Sequence, residues 1–368
     1  MARELGGLRI GLVGPLPPPS GGMANQLLQL DLLLRSEGAS VDVVPVNPPY
    51  RPRWVGGITG VRAAARLLPY AAALRRAARR VDLFHVFASS GWSWHLFAAP
   101  AVWIGHASGI PVVVNYRGGG APDFLSHAAR WVRPTLRRAG ALVVPSEFLR
   151  VIFARFGFDA RVVPNVIDAD RFSPPPGGPG RTGRGPHVVI ARNLEAVYDI
   201  ETGLRAFALI RARLPAARLS IAGSGPERPR LEALALELGL GDGARFVGRI
   251  ENEAMPALYH TADVVLNPSR ADNMPISILE ALASGVPVVT TDVGGIPYLV
   301  RHGETAQMVP PGNAEAMAES VVRVWSDPGL AQRQARAGLA LAREYTWARV
   351  RDRLAAVYRD VLPAGREV

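Results

Sequence analysis

Two carboxylates lie eight positions apart in one short segment of the second half of the chain. Asp272 begins this segment and Glu280 ends it, in the order D-N-M-P-I-S-I-L-E. The pattern predicts that Asp272 lies in a loop and that Glu280 lies one turn into a helix. A helix start favours anions, whereas carboxylates repel phosphate but accept hydrogen bonds from hydroxyls. The combination predicts a ligand with both phosphates and hydroxyls, which is the chemistry of a sugar nucleotide.

Further candidate contacts lie at the ends of predicted strands. Arg192 ends the strand H-V-V-I-A-R, Gly223 begins G-S-G-P after the next strand, and Arg249 and Ile250 end F-V-G-R-I. Ligands of parallel α/β folds lie at the carboxyl ends of strands, and an arginine fork suits a diphosphate. We therefore expect these residues to line the nucleotide. The alternatives are a solvated surface arginine and ordinary turns.

A second glycine-containing loop lies near the amino terminus. Gly21 and Gly22 separate the strand at 8–14 from a helix that is predicted to begin near Met23. Adjacent glycines let a ligand approach the backbone closely, and the helix start behind them favours anions. The loop is not G-x-G-x-x-G, so it carries no dinucleotide fingerprint. We count Gly21 and Gly22 as candidate ligand contacts.

Several chemistries lack support in the sequence. The chain has no cysteine and no lysine, so cysteine nucleophiles, thiolate metal sites and a P-loop lysine are excluded. The seven histidines have no metal-site spacing, and D-A-D at 168–170 is interpreted as a turn. We expect neither a catalytic metal nor a cofactor.

Strand and helix patterns alternate along all 368 residues, which is typical of parallel sheets flanked by helices. The length exceeds that of most single-core domains. The predicted domains are 1–172, a Pro/Gly-rich linker at 173–186, a second Rossmann-like domain at 187–345, and a terminal helix within 346–368 that packs back towards the first domain. The fold class is α/β, with ligands expected in the cleft between two Rossmann-like halves.

Positive charge is concentrated in the first half of the chain. Residues 1–170 contain 19 arginines and 10 acids, a net +9, whereas residues 171–368 contain 23 and 21, a net +2. An anionic membrane surface or an acidic acceptor is therefore the expected partner. Arg75, Arg76, Arg79 and Arg80 share one helical face, which is either a solvated face or a membrane-docking face. No motif supports nucleic-acid binding.

The second half resembles glycosyltransferase family 4, whose members are retaining enzymes of the GT-B fold. The resemblance is carried by A-R-N-L, G-S-G-P, F-V-G-R-I, D-N-M-P-I-S-I-L-E-A-L-A-S-G-V-P-V-V-T-T-D-V-G-G-I-P and V-P-P-G-N. The first half resembles the family more loosely through its Gly21–Gly22 loop, D-L-F-H, V-P-S-E-F-L and P-N-V-I-D. The resemblance implies a metal-independent hexosyltransferase that uses a UDP- or GDP-linked sugar.

The resemblance also implies roles for individual residues. Glu280 should hold the ribose, Asp272 should contact the donor sugar, and Arg192 should clamp the diphosphate. The family has glutamate where this chain has Asp272, and Pro275 has no N–H to offer phosphate. The expected donor contacts between the two acids are Asn273, Met274, Pro275, Ile276 and Ser277.

Two positions depart from the family pattern. The usual lysine partner of the arginine is Tyr198 here, so we expect Arg270 to supply the missing charge. Arg117 and Gly118 occupy the place of the family's histidine and glycine and are expected to contact acceptor or sugar.

The predicted function is transfer of a sugar to a hydroxyl of a glycan or lipid-linked acceptor in bacterial polysaccharide or glycolipid synthesis. The alternatives are a sugar-nucleotide epimerase of the same fold and a non-catalytic nucleotide-binding protein. No signal peptide or spanning segment is evident. The expected location is the cytoplasm, with peripheral contact between the basic first domain and an anionic membrane.

Overall fold

The computed structural model describes residues 5–17, 21–48, 61–175 and 185–363. Contacts divide the chain into a first unit, Met1–Asn165 with Val350–Val368, and a second unit, Val166–Arg349. The predicted first domain ended at residue 172. The division falls earlier because Ile167 and Phe172 are buried in the core of the second unit. Residues 176–184 of the predicted linker and residues 18–20 of the first glycine loop lie outside the described residues.

The first unit contains a parallel sheet with the order β2-β1-β3-β4-β5-β6 among its described residues. The strands are β1 (Arg9–Gly14), β2 (Ser40–Pro45), β3 (Leu83–Ala88), β4 (Val112–Tyr116), β5 (Ala141–Val144) and β6 (Arg161–Val162). Every residue of β3 and β4 is buried, as expected of strands covered on both faces. The short strand β6 was not predicted from the sequence.

Helices connect these strands. They are α1 (Gly22–Ser36), α2 (Val61–Ala78), α3 (Ala99–Ala107), which follows a π-helical turn at Trp94–Ala98, α4 (Ala121–Leu136) and α5 (Glu147–Arg155). In α1 the stripe of Leu27, Leu30 and Leu34 is buried, as the helical spacing predicted. In α2, Leu74 and Ala77 are buried while Arg75, Arg76, Arg79 and Arg80, at or just beyond its end, are exposed.

The last helix, α13 (Trp347–Val361), belongs to the first unit from Val350 onward. Its Tyr358 hydroxyl is 2.8 Å from Nδ1 of His85 in β3. Asn115 Nδ2 donates to Nε2 of His85 at 2.9 Å, so the proton of the neutral imidazole is on Nδ1. Burial lowers the pKa of His85 to about 3, with a smaller contribution from the charge of Arg117. This buried polar group ties the end of the chain to its first sheet.

The second unit contains a parallel sheet with the order β12-β11-β10-β7-β8-β9 among its described residues. The strands are β7 (His187–Ala191), β8 (Arg218–Ala222), β9 (Ala244–Gly248), β10 (Val264–Asn267), β11 (Val288–Thr291) and β12 (Gln307–Val309). Its helices are α6 (Ile200–Arg213), α7 (Arg228–Glu237), α8 (Met255–His260), α9 (Ile276–Ala283), α10 (Ile296–Leu299), α11 (Ala314–Ser326) and α12 (Pro328–Arg343).

The chain changes direction across the second sheet between β7 and β10. From β7 it proceeds outward to β8 and β9, and then returns to β10, β11 and β12 on the other side. At such a switch point the loops after the two central strands diverge and leave a crevice at the carboxyl edge. The loops that follow β7 and β10 therefore border the natural ligand position of this unit.

Candidate active site

Arg192 and Asp272 lie at the switch point and form an ion pair. Arg192 is the first residue after β7, and Asp272 lies in the loop after β10. The guanidinium contacts the carboxylate through Nη2, and the two side chains are only 11% and 13% exposed. Nη1 of Arg192 is also 3.5 Å from the hydroxyl of Ser277 in the first turn of α9. The structure thus joins three residues that the sequence predicted to share a site.

The ion pair leaves one N–H donor of the Arg192 guanidinium unused. Among the described residues, Nε of Arg192 is buried and has no hydrogen-bond partner. Burial raises the pKa of Asp272 above its ordinary value, and the charge of Arg192 opposes this shift. A buried donor without a partner is costly, so a ligand anion that accepts from the guanidinium would relieve that cost.

Glu280 lies on α9 and is buried. Its Oε2 accepts a hydrogen bond of 2.9 Å from the hydroxyl of Tyr259 on α8. Burial raises the pKa of Glu280 to about 7, while this hydrogen bond and the charges of Arg171 and Arg192 act in the opposite direction. Near neutral pH the group is therefore poised between a proton donor and a carboxylate acceptor.

Buried polar side chains hold the loop that carries Asp272. Ser269 Oγ donates to Asn267 Oδ1 at 2.9 Å, and Thr291 Oγ1 donates to the carbonyl of Ser269 at 2.7 Å. Oδ1 of Asp272 accepts from the backbone N–H of Asn273 at 2.8 Å. The loop is thus positioned by hydrogen bonds to the strand ends beneath it.

A pair of glycines packs directly against the same loop. The N–H of Gly295 donates to the carbonyl of Asp272 at 3.0 Å. A Cβ at Gly294 would overlap that carbonyl oxygen, and a Cβ at Gly295 would overlap the carbonyl oxygen of Asn273. The G-G of the sequence motif is therefore required for packing at this position.

The G-S-G-P loop supports Arg192 by its backbone. Gly223 has φ +154°, and a Cβ there would overlap the carbonyl oxygen of Arg192. Ser224 accepts from the N–H of Leu194 at 3.0 Å through its carbonyl. Close packing of two loops thus explains the need for glycine. A ligand contact by Gly223 stays a prediction.

The remaining predicted donor contacts differ in their surroundings. Asn273, Met274 and Pro275 are buried in the loop, while Ile276 is half-buried at the start of α9. Arg249 is exposed and pairs with Glu251, and Ile250 is half-buried. Among the described residues no hydrogen bond or ion pair links Arg249 to Arg192 or Asp272.

Tyr198 contacts Arg192 directly, whereas Arg270 contacts the segment that contains Tyr198. The guanidinium carbon of Arg192 lies 4.1 Å from the centre of the Tyr198 ring, a cation–π contact. Arg270 instead pairs with Asp199, its Nε lying 2.9 Å from Oδ2. The backbone N–H of Arg270 donates to the carbonyl of Val197 at 2.9 Å. Arg270 is thus attached to the segment where the family has its lysine, although the ion partner of Asp272 is Arg192.

The first unit has its own cluster at the carboxyl edge of its sheet. Arg117, directly after β4, contacts Oδ1 of Asn165 and donates to Oε1 of Gln26 at 3.3 Å. Burial lowers the pKa of Arg117 to about 10. A Cβ at Gly118 would lie 2.8 Å from the hydroxyl oxygen of Ser90 in the loop after β3.

Gly21 is the N-cap of α1 and Gly22 is the first residue of this helix, which also carries Gln26. A Cβ at either glycine would meet nothing within 4 Å. A ligand contact at Gly21 or Gly22 stays a prediction.

The sequence did not identify several residues that the geometry makes important. Tyr259, Asp199 and Gln26 partner Glu280, Arg270 and Arg117 respectively. None lies in a recognisable motif, and each partner is distant in sequence or on another element. Asp199 is the non-glycine residue with positive φ among the described residues, at +46°, but this feature belongs to the structure and gives no signal in the sequence.

In the described part of the chain, no group of three or more histidine, cysteine or acidic side chains is arranged to hold a metal ion. The same residues contain no helix long and apolar enough to cross a membrane.

Both units match known family models. The model described as Glycosyltransferase Family 4 matches residues 20–171, and the model described as Glycosyl transferases group 1 matches residues 179–340. The GDP-mannose-dependent alpha-(1-6)-phosphatidylinositol monomannoside mannosyltransferase of Mycobacterium tuberculosis (strain CDC 1551 / Oshkosh) is 32% identical over 292 residues. That match covers 71% of this chain and 75% of the relative. The matched share varies among relatives, from 46% of one to 99% of another.

Solved structures have the same architecture. Sucrose-phosphate synthase from Thermosynechococcus elongatus superposes with a TM-score of 0.76 at 22% identity, covering 96% of this chain and 99% of that one. Anabaena Alr3699/HepE in complex with UDP-glucose gives 0.74 at 18% identity, covering 96% and 99%. The chain therefore has the two-unit α/β architecture of the GT-B fold. The chain belongs to glycosyltransferase family 4, within group 1.

Proposed function

We propose that this glycosyltransferase moves a sugar from a nucleotide-diphosphate sugar to a hydroxyl of a glycan or lipid-linked acceptor, with retention of configuration. The observation that carries the proposal is the Arg192–Asp272 pair at the switch point, with buried Glu280 on the adjoining helix. A relative named as GDP-mannose-dependent and a structural neighbour in complex with UDP-glucose support a nucleotide-sugar donor. The biological setting that we propose is bacterial polysaccharide or glycolipid synthesis.

The chemical roles follow from the charge that the reaction develops. As the bond between the anomeric carbon and the diphosphate oxygen breaks, negative charge grows on the leaving group. Arg192 is buried beside this position and would stabilise that charge, usually the dominant contribution in such sites. Asp272 would accept hydrogen bonds from sugar hydroxyls, and Glu280 from the ribose.

Retention is proposed to arise by front-face transfer. The acceptor oxygen bonds to the anomeric carbon on the side from which the diphosphate leaves, and the acceptor proton passes to a departing diphosphate oxygen. Asp272 is already paired with Arg192, which lowers its strength as a nucleophile. Trapping of a covalent glycosyl–enzyme intermediate would contradict this mechanism.

The donor class can be tested by thermal stabilisation. A ligand that binds the folded state raises the melting temperature by mass action, so UDP, GDP, ADP and their sugar conjugates should separate into binders and non-binders. The proposal expects one nucleotide family to stabilise the protein. Transfer should persist in EDTA, because arginine rather than a metal ion is proposed to meet the diphosphate charge.

Glu280→Ala tests the transfer activity. This variant should have no transfer activity, and its circular dichroism spectrum should be that of a folded protein. Glu253→Ala is the matched control, since Glu253 is exposed in the same unit. Near-normal turnover of the Glu280 variant would count against the proposal. Release of an epimerised free donor would indicate an epimerase, and binding without turnover a non-catalytic protein.

We further propose that the enzyme acts in the cytoplasm and that its basic first unit contacts an anionic membrane, where lipid-linked acceptors reside. The relative that acts on a phosphatidylinositol mannoside, by its name, supports such an acceptor.

A further inference from the structure

Two large aromatic side chains are exposed on neighbouring helices of the first unit. Trp103 of α3 is 43% exposed and Trp131 of α4 is 62% exposed. Nε1 of Trp103 donates to Thr135 Oγ1 at 3.0 Å, and Thr135 lies one helical turn after Trp131. The two indoles therefore belong to one continuous surface.

Each of these two indoles has an arginine stacked on it. The guanidinium carbon of Arg130 lies 4.6 Å from the centre of the Trp131 ring, and that of Arg138 lies 3.9 Å from the Trp103 ring. Arg137, the C-cap residue of α4, is exposed. We call Trp103, Arg130, Trp131, Arg137 and Arg138 the Trp–Arg face.

The charge of this face is not neutralised within the described residues. No ion pair there involves Arg130, Arg137 or Arg138, although Arg138 donates to the carbonyl of Pro134 at 2.8 Å. Asp123 is the one acid in the sequences of α3 and α4, and His106 of α3 and His127 of α4 are exposed. The face therefore keeps a net positive charge at any pH near neutrality.

Other arginines of the protein are used differently. Arg133, on the same helix, donates to the carbonyl of Phe156 at 2.9 Å and stacks on the ring of Phe158, so it packs inward. In the second unit, exposed Arg205 and Arg228 pair with glutamates one turn away. The Trp–Arg face instead directs both apolar rings and unpaired cations outward.

We propose that the Trp–Arg face docks on the anionic headgroups of a lipid bilayer. Guanidinium groups bind phosphate oxygens as bidentate donors, and indole rings are favoured at the boundary between headgroups and acyl chains. Two indoles and three cations on one surface provide the two signals, apolar insertion and electrostatic attraction, that peripheral binding needs. The inference rests on the membrane contact proposed above and assigns it to α3 and α4 rather than to the basic end of α2.

The test is co-sedimentation of the full chain with vesicles of phosphatidylcholine alone and with vesicles that also contain phosphatidylglycerol. The wild-type protein should bind the anionic vesicles and be released by salt. The double variant Arg130→Gln/Arg137→Gln should lower the partition constant about thirtyfold, since two arginines near an anionic surface are lost. Trp131→Ala should weaken binding at every salt concentration, because it removes an apolar contact with the bilayer and no charge.

The matched control is Arg76→Gln/Arg79→Gln, which removes the same charge from the basic end of α2, where the sequence left a solvated and a membrane-docking role open. It should retain most of the binding. An equal loss in the two double variants would indicate attraction by net charge alone and would overturn the assignment, as would an α4 variant that binds like the wild type.

Both double variants should keep donor-induced thermal stabilisation, because their substitutions lie outside the second unit. Failure of vesicle binding with intact donor stabilisation would reject the docking face alone. Vesicle binding by a protein that shows no donor stabilisation or transfer would reject the proposed function alone.

Discussion

At the scale of single residues, Asp272 and Glu280 are both removed from water but have different partners. Asp272 is paired with Arg192, which favours its charged form, whereas Glu280 accepts a hydrogen bond from the neutral hydroxyl of Tyr259. Burial raises the pKa of both, and for Glu280 it does so to about 7. The same residue class therefore provides an ion-paired carboxylate at one end of the loop and a carboxyl group whose pKa lies near neutrality at the other.

This difference predicts a pH dependence that belongs to Glu280. The folded protein holds a proton on Glu280 between the ordinary pKa of 4.5 and about 7, whereas the unfolded chain releases it. The proton on Glu280 therefore stabilises the folded protein fully below about pH 4.5, and this stabilisation is lost as the pH rises towards 7. Relative to wild type, Glu280→Gln should therefore gain up to about 3 kcal/mol of unfolding free energy between about pH 4 and pH 8.

Urea denaturation of the ligand-free protein across this pH range measures the effect. Donor affinity should rise over the pH range in which this stability falls. The reason is that Glu280 must lose its proton before its carboxylate can accept hydrogen bonds from the ribose. Parallel stability curves for the variant and the wild type would contradict the assignment of the titration to Glu280.

Arg270 provides the second prediction at this scale. It is attached to the Tyr198 segment through Asp199, so its charge is available near the place of the family lysine. Arg270→Gln should raise the dissociation constant for the donor nucleotide roughly tenfold, and Arg270→Lys should restore most of it. Isothermal titration measures both. Arg205→Gln is the control for loss of an exposed paired arginine, and an unchanged affinity in Arg270→Gln would assign Arg270 to structure alone.

At the scale of elements, close packing of loops positions the reactive groups. Gly223 lets the loop after β8 lie against Arg192, and Gly294 lets the loop after β11 lie against Asp272. The loops after four neighbouring strands, β11, β10, β7 and β8, are thereby packed together without intervening side chains at these glycines. Small displacements of this arrangement are expected to be costly, since a shift of about 1 Å can lower a rate by about 10²-fold.

Gly294→Ala tests this view with a close control. Gly294 has φ +56° and its Cβ would overlap the carbonyl oxygen of Asp272, whereas Gly312 has φ +74° and nothing within 4 Å. Both alanine variants should lose about 1 kcal/mol of stability from the positive φ. Transfer should fall about 10²-fold in Gly294→Ala and remain near normal in Gly312→Ala, as measured by initial rates at saturating donor. Equal activities would show that the loop tolerates displacement.

At the scale of the whole molecule, the chain returns to its first unit after completing the second. Tyr358 of α13 forms a hydrogen bond with buried His85, which also contacts Asn115. His85 and Asn115 lie in neighbouring strands of the first sheet, and Arg117 directly follows the strand of Asn115. The first unit is therefore incomplete until the last helix has been made. This order has a consequence for folding, because residues distant in sequence must meet before that sheet is fully buried.

Tyr358→Phe should therefore destabilise the first unit by about 1 to 2 kcal/mol, because Nδ1–H of His85 loses its buried acceptor. Chemical denaturation gives the loss, and Tyr298→Phe, at an exposed tyrosine of the second unit, is the control. Donor-induced stabilisation should be retained, since the change lies outside the second unit. A loss of donor binding in Tyr358→Phe would contradict this separation.

The sequence by itself determined the elements and the identity of the central acids and arginine. Alternating apolar runs and glycine-containing turns are local signals, so strands such as β7 and β10 and the start of α9 could be predicted. The spacing of Asp272 and Glu280 and the strand end at Arg192 predicted the candidate site, because parallel strands bring their carboxyl ends to one edge.

Only the tertiary structure decided the partners of these groups. Tyr259 under Glu280, Asp199 beside Arg270 and Tyr358 against His85 join residues on different elements, and no local pattern encodes such contacts. The same holds for the Trp–Arg face, since the sequence showed basic residues on several helices but not which of them lacked partners. Pairing and burial depend on the packing of the whole fold, and they set the charges that the site and the surface present.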